Sequence, residues 1–151
     1  MRNVFGLAAL AMLAVAAGAS FVVQASVNAR LRAELASPNW AALVSYAGGT
    51  VVMALVVFAT REGWLPMAVA QRVPWWAWTG GLWGAVYVVI VIVLLPRIGT
   101  APAIALFVLG QMIASLAFDR IGLFGVPRHP VDAARVFGTV LLVAGVVLIR
   151  R

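Results

Sequence analysis

Charges cut this chain into long uncharged runs, and that division restricts its fold more than any other feature. Splitting at every Asp, Glu, Lys and Arg leaves runs at 3–29, 35–60, 73–96, 98–118 and 136–149. A helix needs roughly 20 apolar residues to cross about 30 Å of hydrocarbon, so the first four runs suffice. The fifth is shorter, but Arg135, Arg150 and Arg151 at its ends can reach toward the headgroups while the bilayer thins to meet it. The only other architecture that satisfies every backbone group in lipid is a closed barrel, whose strands alternate apolar and polar residues. These runs do not alternate. With 65% hydrophobic and 10% charged residues, 151 residues cannot coat a water-soluble globule. The expectation is an all-α integral membrane protein, a single transmembrane domain over 1–151, with about five helices near 4–35, 40–60, 75–95, 101–118 and 136–149.

Arg2, an apolar stretch and then Ala17-Gly18-Ala19 look like a signal peptide with a small-residue cleavage site. The segment is expected to be retained as the first helix, which runs through QASVNARL to about Leu35 and is stopped by Ser37-Pro38-Asn39. Trp64, Trp75, Trp76 and Trp78 cluster around the connection before the third helix, as an interfacial aromatic belt does. A pI near 11.8 would suggest nucleic acid in a soluble protein. Here all eleven basic residues are Arg and almost all flank the spans, so the partner is the lipid bilayer and no nucleic acid is expected. There is no Cys, and His129 is the only histidine, so thiol catalysis, disulfides, Ser-His-Asp triads and His- or Cys-based metal sites are excluded. No catalytic residues, no metal and no cofactor are expected, and the chain is read as a non-enzyme.

Five helices put the termini on opposite faces, which allows the arginines to be counted by side. Arg2, Arg61, Arg72, Arg120, Arg128 and Arg135 fall on the amino-terminal face, against Arg30, Arg32, Arg97, Arg150 and Arg151 on the other. Orientation follows the excess of Lys and Arg on the cytoplasmic side, and this chain offers almost none. Either a bias lies in the placement of Arg135 or in the helix count, or the chain inserts both ways. In the second case two copies in opposite orientations pair about an axis in the membrane plane, as inverted repeats do within one chain. Two copies would enclose a cavity that one chain of this size cannot.

Gln24 and Asn28 lie one helical turn apart, with Ser20 a turn earlier; Gln111, Ser115 and Asp119 repeat that spacing in the fourth helix. Polar stripes in apolar helices face a bundle interior or a wet cavity. They are therefore candidates either for substrate binding or for tying helices together, and Asp119 is a candidate coupling carboxylate that alternatively pairs with Arg120 or Arg97. Tyr46, Trp83 and Tyr87 are candidates for a cavity wall, with core packing or lipid contact as the alternative. Gly80 and Gly84, and Gly138 and Gly145, have spacings suited to close helix contact. None of Glu34, Glu62, Asp119 and Asp132 lies in the middle third of a span. A central carboxylate costs about 2.5–3.5 kcal/mol on insertion scales and usually serves a bound proton or cation, so neutral, zwitterionic or anionic solutes are favoured over proton-coupled organic cations.

The segments QASVNARL, SPNWAALVSYAGGT, PWWAWTGGLWGAVYV and LPRIGTAPAIALFVLGQMIASLAFDRIGLFGVPR, with a terminal glycine-bearing helix, resemble the YdcZ-type inner-membrane exporter family of the drug/metabolite transporter superfamily. The resemblance spans nearly the whole chain. It implies a bacterial inner-membrane location, about five helices per chain and kinship with small multidrug resistance transporters, which work as antiparallel dimers. It also draws attention to Gln24, Asn28, Gln111 and Asp119, which match the family's polar landmarks. Those relatives rely on a membrane-embedded Glu in the first helix, and this chain has none there. The resulting expectation is a secondary carrier or exporter for a small polar or amphipathic solute, with alternating access at the interface of an antiparallel homodimer and a cavity lined by the first and fourth helices. The alternatives are a small dual-topology ion channel and a non-transporting membrane assembly subunit.

Overall fold

A computed structural model describes residues 2–125 and 127–149, and among them every regular element is a helix, with no strand. Helix α1 spans Arg2–Leu35, α2 Pro38–Ala59, α3 the short Met67–Ala70, α4 Gly80–Ile98, α5 Thr100–Ile121 and α6 Ala133–Ile149. Single 3₁₀ turns at Trp75–Thr79 and Leu123–Gly125 precede α4 and follow α5. Four stretches are long and apolar enough to cross a membrane: Gly6–Leu35, Pro38–Ala59, Trp75–Ile98 and Thr100–Ile121. At 1.5 Å per residue the 17 residues of α6 reach about 25 Å, short of the roughly 30 Å hydrocarbon thickness. The expected anchoring by Arg150 and Arg151 falls outside the described residues.

The expected element bounds shift by a few residues, each for a local reason. α1 ends at Leu35 because Ala36 turns left-handed (φ 52°), and Pro38 opens the next helix. Pro at the first helical position lacks only an N–H that has no partner there anyway. The Ser37 hydroxyl caps that helix by accepting the Trp40 N–H at 3.3 Å. α5 runs past Asp119 to a left-handed Gly122 (φ 74°). α6 starts early because Asp132 Oδ1 accepts the Arg135 N–H at 2.8 Å.

Two compact units divide the chain, Met1–Pro96 and Arg97–Arg151. In the first, α1 packs on α2, and Ala41, Ala42, Val88 and Ile92 form a small core flanked by Leu31, Tyr46, Tyr87 and Val89. Ala41 and Ala42 of α2 meet Val88 and Ile92 of α4 in this core, and such contacts matter in lipid, where hydrophobicity alone does not draw helices together. Pro96 lies inside α4, so the carbonyl one turn back, on Ile92, loses its helical donor. Arg32 of α1 supplies a substitute, its Nη1 donating to the Ile92 carbonyl at 3.5 Å. In the second unit α5 packs on α6. The glycine spacings read as helix contacts resolve differently: a Cβ on Gly80, Gly138 or Gly145 would meet nothing within 4 Å, and only Gly84 is closely approached, by a tyrosine.

Candidate functional site

Asn28 and Gln24 project from one face of α1, since residues four apart share a face, and both reach Ser45 on α2. Asn28 Nδ2 donates to Ser45 Oγ at 3.1 Å, and Gln24 Nε2 lies 3.5 Å from the same oxygen. Asn28 is 5% exposed and is the one buried polar side chain among the described residues. A hydroxyl accepts through two lone pairs and keeps one proton to donate, so Ser45 can take both amides and still offer a hydrogen bond.

Ser45 and Gln24 form one end of a cavity of about 1180 Å³ within the first unit. Its wall follows α2 from Ser45 to Phe58, roughly 20 Å of helix at 1.5 Å per residue. α1 contributes Phe21 and Gln24, α4 contributes Gly84, Tyr87 and Val88, and the connection after α2 contributes Glu62 to Leu65. The Phe21 and Tyr87 rings stack with centroids 5.4 Å apart, joining α1 to α4. Tyr46 lies against the bare backbone of Gly84. Most of the wall is apolar and aromatic, with a few polar groups at Gln24, Ser45, Thr50 and Glu62. Ligand cavities have this general make-up, in which apolar surface gives affinity and a few polar groups orient the ligand.

Of the residues singled out from the sequence, Gln24, Tyr46 and Tyr87 line this cavity and Asn28 supports its Ser45 from behind. Ser20 is exposed on α1 and Trp83 is 68% exposed on α4, and neither belongs to the wall. Gln111, Ser115 and Asp119 lie on α5 in the second unit. There the Ser115 hydroxyl donates to the Met112 carbonyl at 2.9 Å. Asp119 pairs neither with Arg120 nor with Arg97 but with Arg135 of α6, at 3.0 Å. The following loop folds back on the end of α5: the His129 N–H donates to the Asp119 carbonyl and Arg128 Nε to the Ile121 carbonyl, both at 3.0 Å.

Two of the other acidic side chains have local structural work: Glu34 pairs with Arg30 one turn earlier and Asp132 caps α6, while Glu62 lies 3.3 Å from Thr60 Oγ1, whose single proton has its closest acceptor in the Val56 carbonyl at 2.8 Å. Sequence reasoning missed Ser45, Thr50 and Gly84 as wall residues. A signal was present on α2, where Ser45 and Gly49, and Tyr46 and Thr50, are pairs four apart that set polar or small residues on one stripe.

Residues 9–148 match the family model described as "Putative inner membrane exporter, YdcZ". No curated protein and no solved structure matches the chain.

Proposed function

The chain belongs to the YdcZ family of inner-membrane exporters, and on that premise we propose that it is a secondary carrier for a small polar or amphipathic solute. The observation that carries this reading is the convergence of Gln24 and Asn28 on Ser45 at one end of a mostly apolar cavity. The Gln24 amide and the Ser45 hydroxyl are suited to a solute's polar end, and the Phe21, Tyr46 and Tyr87 rings to its apolar body. None of these groups carries charge, which favours a neutral or zwitterionic head.

The carrier works as an antiparallel homodimer with alternating access. Support comes from the near-even spread of arginines that five crossings would place on the two faces and from the length of the cavity along α2. Ser20 and Trp83, exposed in the single chain, face the second copy. Gln111 and Ser115 provide polar groups on α5, and Asp119 serves as the coupling carboxylate by exchanging Arg135 for a proton or ion.

The test is counterflow of a panel of labelled amino acids, neutral amphiphiles and organic anions into liposomes containing only this protein. Saturable exchange that Gln24→Ala abolishes, with dimer assembly intact, is expected. Ion flux far above carrier rates without saturation would instead mark a channel. Inactivity until a second chain is added would mark an assembly subunit.

A further inference from the structure

We propose that Gly84 determines which solutes the cavity admits, by leaving room on α4 for the Tyr46 hydroxyl. The inference rests on the reading of the cavity as a solute site. Tyr46 is half-buried on α2, forms part of the cavity wall and packs against the core of Ala41, Ala42, Val88 and Ile92. A Cβ added to Gly84 would lie 2.5 Å from Tyr46 Oη but 3.6 Å from Cζ. The first distance is far inside van der Waals contact, and the second is ordinary packing. The whole conflict therefore resides in one oxygen atom, and a phenylalanine ring would fit beside an alanine.

The tyrosine ring is rigid, so its tip can move only if the ring swings as a body. Tyr46 packs against the core, and both it and Gly84 line the cavity. A side chain at position 84 is therefore expected to displace the ring into the cavity and narrow it on the wall shared with Ser45 and Gln24. Gly48, on α2 but outside the cavity wall, has a Cβ position that would meet nothing within 4 Å. It provides a control on the helix that carries Tyr46.

The chain contains no cysteine, so Thr50→Cys on the cavity wall provides a single thiol. The full chain, reconstituted in liposomes, is treated with methyl and with benzyl methanethiosulfonate, and the ratio of the two reaction rates reports the passable cross-section. Gly84→Ala is expected to lower the benzyl-to-methyl ratio by about tenfold or more, the scale of discrimination that one methylene gives in an apolar pocket. Adding Tyr46→Phe should restore the parent ratio, Gly48→Ala should leave it unchanged, and Tyr46→Ala with Gly84 intact should raise it. An unchanged ratio in Gly84→Ala, or a lowered ratio that Tyr46→Phe fails to restore, overturns the role of Gly84. If Gly84→Ala alone does not fold, recovery of folded protein by Tyr46→Phe supports the contact, and an unchanged ratio in Tyr46→Ala overturns the proposal. A Thr50→Cys thiol that reacts with neither reagent overturns the solute cavity itself, and with it the proposed function.

Discussion

Gln24 and Asn28 address the same hydroxyl from different surroundings, which separates their expected contributions. Asn28 is 5% exposed and bonds at 3.1 Å, whereas Gln24 is exposed on the cavity wall at 3.5 Å. Side-chain hydrogen bonds between membrane helices average about 0.6 kcal/mol and reach about 1.7, and a buried amide left without a partner costs more. Asn28→Ala should therefore lower stability by about 1–2 kcal/mol in detergent-titrated unfolding. Gln24→Ala should cost less than about 0.5 kcal/mol and act on transport instead; equal losses of stability would assign both residues to packing. The stripe was legible in the sequence because amides are rare in lipid-facing positions. Ser45 was not, since a membrane-helix serine usually satisfies its hydroxyl on its own helix, as Ser26 does on the Val22 carbonyl at 2.8 Å. The partner of Asp119 was equally hidden. Arg120 is adjacent in sequence and so points about 100° away around the helix, while the folded-back loop brings Arg135 to the carboxylate.

Helix ends and helix-to-helix ties set the next scale. The Ile92 carbonyl is free of its helical donor only because residue 96 is proline, and Arg32 takes up that carbonyl from α1. Arg32→Ala should cost about 1 kcal/mol, modest because the bond is long. In a Pro96→Ala background the helix supplies its own N–H, and the same substitution should cost less than about 0.5 kcal/mol. A thermodynamic cycle over these variants checks the tie; equal costs in both backgrounds would exclude it. For Asp119 and Arg135 the side chains are 27% and 41% exposed, so their pair is partly screened. Asp119→Asn should destabilise α5 against α6 by less than about 1 kcal/mol. Abolished transport with that small loss would fit the coupling role, and unimpaired transport would remove Asp119 from it. Charged boundaries located every long helix in the sequence within a few residues. The errors fell where a cap, not a charge, decides the end: Ser37 before α2, Gly122 after α5 and Asp132 before α6.

At the scale of the whole molecule, membrane residence and helical class followed directly from the lengths of the uncharged runs. The cavity within the first unit was legible only in part: its wall is built by α1, α2 and α4, and from each of these the sequence pattern singled out one residue, Gln24, Tyr46 and Tyr87. Lipid tails are as apolar as leucine, so helix neighbours are selected by small residues and a few polar contacts; here those are Ala41, Ala42, Gly84 and the Asn28–Ser45 bond. The proposed transport reading needs two copies that lie opposite ways up, and its physical basis is the near-even division of arginines that five crossings would give. With five crossings, one arginine added to either face should shift the balance strongly, because the counts would nearly cancel. The most direct measurement fuses to the carboxyl terminus, in parallel, a reporter active only on the cytoplasmic side and one active only outside it. Substantial activity is expected from both fusions, with the ratio moved by that added arginine. Activity confined to one fusion, unmoved by the added charge, would contradict the antiparallel pairing.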